Sequence, residues 1–284
     1  MTKPETQIDY GRRVARVADY IAGHLDADLD VERLASVAHF SPWHFHRIYR
    51  ETTGETVADT VRRLRLHRAA VELTRDDAPL ERVAKRAGYG TLAAFSRAFA
   101  ADYGVPPGAY RLRGRLVPPA PARQKEPVIM YKVEIAPFEG VRLAAVTHHG
   151  DYQEIGHAFE RIYAWAGARG LLGPATRSIG IYYDDPETIA KKDLRSEAGL
   201  VLAPDATLDS DVHAIDIPSM LCASVLHKGP YAELEQPYRY LFREWLPQSG
   251  REAGDHPCFE EYLNNPRELP ASEWLTRVSL PLKD

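Results

Sequence analysis

Two internal duplications constrain this chain more than any other feature. VERLASVAHF at residues 31–40 recurs as LERVAKRAGY at 80–89, and LAAVTHHGDYQEIGHAFERIYAWA at 143–166 recurs as CASVLHKGPYAELEQPYRYLFREW at 222–245. A chain that repeats itself in this way builds one kind of unit twice and packs the copies together, so the fold follows from what each unit is.

The first unit is a short helix, with Val31, Leu34, Ala35 and Ala38 on one face in the first copy and Leu80, Val83, Ala84 and Ala87 in the second. A turn follows, and then a second helix. In SPWHFHRIYR (41–50), Phe45, Ile48 and Tyr49 form its buried stripe, while Trp43, His46, Arg47 and Arg50 share the opposite face. The pattern returns 50 residues later, where Phe95, Arg97, Phe99 and Gly104 match Phe45, Arg47, Tyr49 and Gly54. Two helices of which the second has one apolar and one basic face make a helix-turn-helix, whose second helix enters the DNA major groove. Residues 55–75 read as a long helix joining the two units, with Val57, Val61, Leu64 and Ala69 or Leu73 turned inward.

Charge divides the chain at the same place as the repeats. Residues 1–126 hold 21 basic against 16 acidic residues, and the remainder 15 against 24. A basic half and an acidic half imply different partners. The Pro-rich stretch LVPPAPARQKEP (116–127) cannot continue a helix or enter a central strand, so it is the linker between a domain at 8–115 and another at 128–284. The N-terminus lacks a signal-peptide pattern and no window is apolar enough to span a membrane, so no membrane partner is expected. Cys222 and Cys258 have neither zinc-site nor disulfide-framework spacing, which fits a cytoplasmic protein without a cofactor. His44 and His46, two residues apart, point to different sides of a helix, so no metal site is expected.

The paired units, above all AGYGTLAAFSRAFAADYGVPPGAYR (87–111), closely resemble the DNA-binding domain of AraC/XylS transcription regulators over residues 8–113. The resemblance implies that Trp43, His44 and Arg47 match the Trp-His and Arg of the first reading helix in the mar/sox/rob type, and that Arg97 matches an Arg of the second. The DNA-reading set expected here is Trp43, His46, Arg47, Arg50, Ala93, Ser96 and Arg97. Leu92 and Ala93 replace two glutamines of that type, so the second helix has only apolar contact with thymine methyl groups available there.

The second duplication has a different grammar. Each copy runs from an apolar strand through a Gly-x-Tyr turn into an amphipathic helix, and IGIYYDDP (179–186) and FEEYLNNP (259–266) extend the match into further strands. Each unit is therefore strand, helix, strand, strand. Two such units related by a pseudo-twofold share a groove suited to a small molecule. The fold class expected for the whole chain is multi-domain: an all-α tandem helix-turn-helix domain, then an α+β domain of two such repeats.

HKGPYAEL, the EWLPQSG step and FEEYLNNP resemble the GyrI-like effector-binding domain over residues 130–284, also found in rob-type and BmrR-type regulators. That resemblance implies a cation-attracting Glu at Glu260, with Gly180 at the symmetric position, and a pocket-wall aromatic at Trp274. Strand alternation puts Tyr262 on the face of Glu260, and Tyr182 is its symmetric counterpart. The effector site expected is thus Glu260, Tyr262, Trp274 and Tyr182, and a carboxylate among rings favours a cationic aromatic effector. Arg277 stands where the family frequently has an acidic residue; pointing into the groove, it would weaken that preference.

These features make the expected function that of a ligand-responsive, sequence-specific transcription regulator with double-stranded DNA and a small-molecule effector as partners, RNA polymerase as a further candidate, and no catalysis. Two rivals are a GyrI-like hydrolase of reactive electrophiles, with the pocket Glu activating water, and a gyrase-binding protein. Fusion to two helix-turn-helix units argues against both.

Overall fold

The computed structural model describes residues 3–27, 29–75, 77–114, 129–173, 176–201 and 207–283, so the expected linker at 116–127 lies outside the described residues. The helical half contains α1 (Lys3–Gly23), α2 (Val31–Ala38), α3 (Pro42–Thr53), α4 (Val57–Arg75), α5 (Leu80–Arg86), α6 (Leu92–Tyr103) and α7 (Pro107–Arg113). The pairs α2–α3 and α5–α6 are the two repeated units. The units differ in their side-chain caps but share their turns and stops: Ser41 ahead of α3 and Pro79 ahead of α5 make no side-chain cap bond. Asp30 accepts a hydrogen bond from the Arg33 amide at 2.6 Å ahead of α2, and Thr91 accepts from the Ala94 amide at 3.2 Å ahead of α6. The turns inside the units are left-handed at matching positions, His39 (φ 55°) and Gly88 (φ 87°), and both reading helices stop at a left-handed glycine, Gly54 or Gly104.

The helix α4 serves two cores. Its first half places Val57, Val61 and Leu64 against the cluster of α1, α2 and α3, and its second half buries Leu66, Ala69, Ala70 and Leu73 with α5, α6 and α7. The inward residues read from the sequence are joined by Leu66, which is fully buried.

Eight antiparallel strands form the second half: β1 (Val133–Phe138), β2 (Val141–His149), β3 (Arg177–Tyr182), β4 (Arg195–Val201), β5 (His213–Ile217), β6 (Met220–Lys228), β7 (Cys258–Tyr262) and β8 (Leu275–Pro281). Each repeat therefore carries a leading strand beyond the strand-helix-strand-strand unit read from the sequence. The sheet order β1-β6-β8-β7-β3-β4-β2-β5 reads the same when the repeats are exchanged, which is the expected pseudo-twofold, with its axis between β7 and β3. The leading strands are swapped: β1 pairs with β6 of the second repeat, and β5 with β2 of the first. At the axis Gly180 faces Glu260.

The helices break the symmetry. In the first repeat α8 (Gly156–Ala168) covers β2 and β4. The second repeat has α9 (Glu235–Arg239), a π-helical stretch at Tyr240–Trp245 and α10 (Leu246–Ser249). This second helix is shared property: Tyr238, Leu241, Phe242 and Leu246 lie in one continuous core with Tyr10, Leu34 and Phe45 of the helical half. Arg13 of α1 clamps Glu252 with two hydrogen bonds, 2.7 and 3.2 Å. The two halves are thus packed together. Among the described residues no helix is long and apolar enough to cross a membrane, and both cysteines are buried and unpaired.

Candidate functional site

Glu260 sits at the centre of the sheet, 3% exposed, and its carboxylate is held by phenols. Tyr238 donates to one oxygen at 3.0 Å and Tyr262 to the other at 2.9 Å, while the Tyr182 hydroxyl lies 2.6 Å from that of Tyr262. Opposite, Gly180 leaves the necessary room: a Cβ there would come within 3.0–3.1 Å of the Tyr182 and Tyr262 rings and hydroxyls. Burial pushes the Glu260 carboxyl from 4.5 up to about 7, against the hydrogen bonds from Tyr262, Tyr238 and Tyr182 and the positive charge of Arg47. The same burial, together with the Glu260 charge, holds the three phenols well above their usual value.

The expected residues Glu260, Tyr262 and Tyr182 come together here. Trp274 stands one ring further out: it packs at 4.4 Å on Tyr231, whose ring meets Tyr262 edge-on at 5.2 Å. Arg277 faces away from Glu260. It pairs instead with Glu261 at 3.1 Å, and Arg177 holds the other oxygen of that carboxylate at 2.6 Å, so the opposite sheet face neutralises its own charge. The residue that sequence reasoning missed is Tyr238. Its counterpart in the first repeat is Phe159, which packs on Tyr262 from the other side at 5.2 Å. Both lie on the helical line of the repeat alignment, and the phenol in place of phenyl is the signal that a partner waits opposite.

The two reading helices meet different surroundings. On α6, Ala93 and Arg97 are exposed and Ser96 is half-buried, so the face is open to a groove. On the corresponding face of α3 Trp43 is exposed, as expected, but His46 and Arg50 are half-buried and Arg47 is buried, contrary to the expectation of a free basic surface. Arg47 is 8% exposed, with its guanidinium 4.3 Å from the Tyr238 ring centre and 5.5 Å from that of Phe242. Arg50 pairs with Glu235 at 2.9 Å and with the buried Asp185 at 3.4 Å. Trp43 packs on Tyr183, and His44 on Phe242. Burial depresses the His44 imidazole to about 3 and also lowers that of His46. Arg47 stays charged: burial opposes it, but the carboxylates of Glu235 and Asp185 outweigh that penalty. The buried stripe of α3 was legible from its spacing. The covering of its other face depends on carboxylates and rings about 140–200 residues downstream, which periodicity within one helix does not register.

Between the halves remains a crevice of about 270 Å³, open solvent included, with Trp43, His44 and Arg47 on one wall and Tyr182, Tyr238 and Phe242 on the other. Among the described residues no group of three or more His, Cys, Asp or Glu side chains could hold a metal ion.

A family model described as a GyrI-like small molecule binding domain matches residues 131–283, and one described as a helix-turn-helix domain matches 34–113. The regulatory protein SoxS of Escherichia coli is 34% identical over 94 residues, which cover 33% of this chain and 88% of SoxS. The chain belongs to the AraC-type regulators that carry a GyrI-like domain. A DNA gyrase inhibitor of Edwardsiella piscicida is 32% identical to this regulator over 162 residues, which take in 98% of that protein but 54% of this chain. A solved structure of an EcmrR–DNA complex aligns with 89% of the regulator and 99% of its own chain, at 17% identity and a TM-score of 0.49. The regulator is a DNA-binding transcription factor that senses a small molecule, not an enzyme.

Proposed function

We propose that the regulator responds to a small organic cation, taken up beside Glu260, by changing how its two reading helices engage duplex DNA. The division into a DNA-binding domain at 8–115, a linker at 116–127 and a sensing domain at 128–284 is part of this reading, supported by the charge asymmetry of the halves. The DNA contacts assigned are Trp43, His46, Arg47 and Arg50 on the first helix and Ala93, Ser96 and Arg97 on the second. Glu260, Tyr262, Tyr182 and Tyr238 receive the effector, with Trp274 at the outer wall. RNA polymerase is the machinery whose access the bound protein alters, and the cytoplasm is its site of action.

The observation that carries the cation reading is the buried carboxylate framed by tyrosines. Ionising it inside the protein is unfavourable until a positive charge compensates, whereas phenol faces and a carboxylate together attract an organic cation. A hydrolytic role would require an attackable electrophile and a water beside Glu260; both carboxylate oxygens are instead taken by phenols, at 3.0 and 2.9 Å. Calorimetry of the full chain with benzylguanidinium and with benzylurea, its neutral counterpart of similar shape, tests the charge preference. Benzylguanidinium is expected to bind more tightly, and equal affinities would sink the reading.

A further inference from the structure

The crevice lined by Tyr182 and Tyr238, two of the phenols around Glu260, already holds a cation, and it belongs to the protein. Arg47 stacks on Tyr238, the ring whose hydroxyl donates to Glu260 at 3.0 Å, and its charge acts on that carboxylate. The Arg47 Nη1 makes no hydrogen bond and lies 3.5 Å from Glu235, so this nitrogen is held by charge rather than by a directional bond, while the guanidinium as a whole sits on ring faces. That is how a foreign organic cation would be held. The free space left around it is about 10 Å³, room for about one water molecule and far short of a small-molecule pocket.

Resting on the cation reading above, we infer that Arg47 is a tethered stand-in for the effector: its guanidinium occupies the cation seat and clamps the first reading helix against the sensing domain until an external cation replaces it. Arg47 is also the residue of α3 placed to contact DNA. It cannot do both at once. With Arg47 seated, Arg50 is engaged by Glu235 and Asp185, His44 is buried, and α3 cannot enter a groove, whereas α6 is open. An effector that evicts Arg47 binds the released arrangement better than the clamped one, and DNA does the same. By linkage each ligand must then strengthen binding of the other by the same factor. The clamp suits an exchangeable contact, because a partly buried ion-pair layer gains little net free energy over solvated charges. The apolar packing of α1 and the Arg13–Glu252 pair lie outside the α3 contact and can hold the halves together when it opens.

The test uses the full chain and a duplex selected from a random pool in the presence of benzylguanidinium. Arg47→Ala should raise benzylguanidinium affinity about 5- to 150-fold by vacating the seat, with benzylurea changing much less. Glu235→Gln keeps both the reading helix and Glu260 intact but removes the carboxylate shared by Arg47 and Arg50. It should tighten DNA binding severalfold without ligand, a gain that a misfolded variant cannot give. Glu154→Gln, the same loss of charge at an exposed site of the sensing domain, should not. In the wild type, saturating benzylguanidinium should tighten DNA binding by the factor that DNA tightens benzylguanidinium. If benzylguanidinium binds in a Glu260-dependent way but Arg47→Ala leaves its affinity unchanged, the stand-in role is overturned and the cation reading survives. If neither the wild type nor Arg47→Ala binds it in a Glu260-dependent way, both fall.

Discussion

The two reading helices of this regulator were built from one pattern and placed in two environments. Both α3 and α6 follow a left-handed turn, both end at a left-handed glycine, and Phe45 and Tyr49 fill the positions in one core that Phe95 and Phe99 fill in the other. Outside the core they diverge. Arg97 of α6 is exposed, whereas its counterpart Arg47 is buried against Tyr238 and Phe242. A repeat in sequence fixes the backbone and the inward face of each unit, but what covers the outward face is decided by the rest of the chain. Here the asymmetry is met on the other side by a second asymmetry: the helix of the second GyrI-like repeat, with its π-helical stretch, joins the apolar core of the helical half, while the first repeat meets α3 through Tyr183 and Asp185.

The largest effects should fall where the two units are alike. Phe45→Ala and Phe99→Ala each remove a fully buried ring and should each destabilise the protein by ~3–5 kcal/mol in chemical denaturation. A much smaller loss for Phe45→Ala would mean that the docked sensing domain, rather than the local core, holds α3.

Next comes the charge at the axis. Glu260→Gln preserves shape while removing the carboxylate, and should weaken benzylguanidinium by on the order of 1.5–3 kcal/mol, or roughly ten- to a hundredfold, at pH 8. Benzylurea should be nearly unaffected. Because the free carboxyl titrates at about 7, benzylguanidinium affinity in the wild type should fall as pH drops below about 7, and the Gln variant should show no such dependence. Calorimetry across pH reads both.

The same group has a stability signature of similar or smaller size. Its folded value lies above the ordinary 4.5, so between those limits the folded chain retains a proton that the unfolded chain has released. Stability contributed by this group is therefore full below about 4.5 and is lost as pH rises to about 7. Glu260→Gln should be the more stable protein above pH 7, by ~1–3 kcal/mol, and should lose that advantage in acid. Denaturation at pH 5 and pH 8 checks the sign.

The smallest effect separates the two arginines directly. Without effector, Arg97→Ala should relax sequence preference at particular base pairs by ~1–3 kcal/mol, whereas Arg47→Ala, which removes the clamp and not a DNA contact in use, should relax none; with benzylguanidinium present, both should relax it. Loss of preference from Arg47→Ala in the absence of effector would show that α3 reads DNA in the clamped form.

Most of the fold was legible because its determinants are local. Spacing gave the buried stripe of α3, the repeats gave the two units of each half, and strand alternation put Tyr262 on the face of Glu260. The leading strands β1 and β5 were not read, since each belongs to the edge of the other repeat and so shows no pairing partner nearby in sequence. Tyr238 escaped because its role depends on a carboxylate 22 residues on, across the helix-to-sheet packing. The covering of Arg47 and Arg50 was illegible for a stronger reason: a basic face suited to phosphate is equally suited to carboxylates of the same chain, and only the packed structure places Asp185 and Glu235 against it.

The most direct measurement is a hydroxyl-radical footprint of the full chain on its selected duplex, with and without saturating benzylguanidinium. Protection of the sugar backbone along one segment without the cation, extending to a second segment about one helical turn away when it is added, is the expected result. Two protected segments of equal depth before any cation is present would contradict it, because α3 would then be reading DNA while Arg47 should still be held on Tyr238.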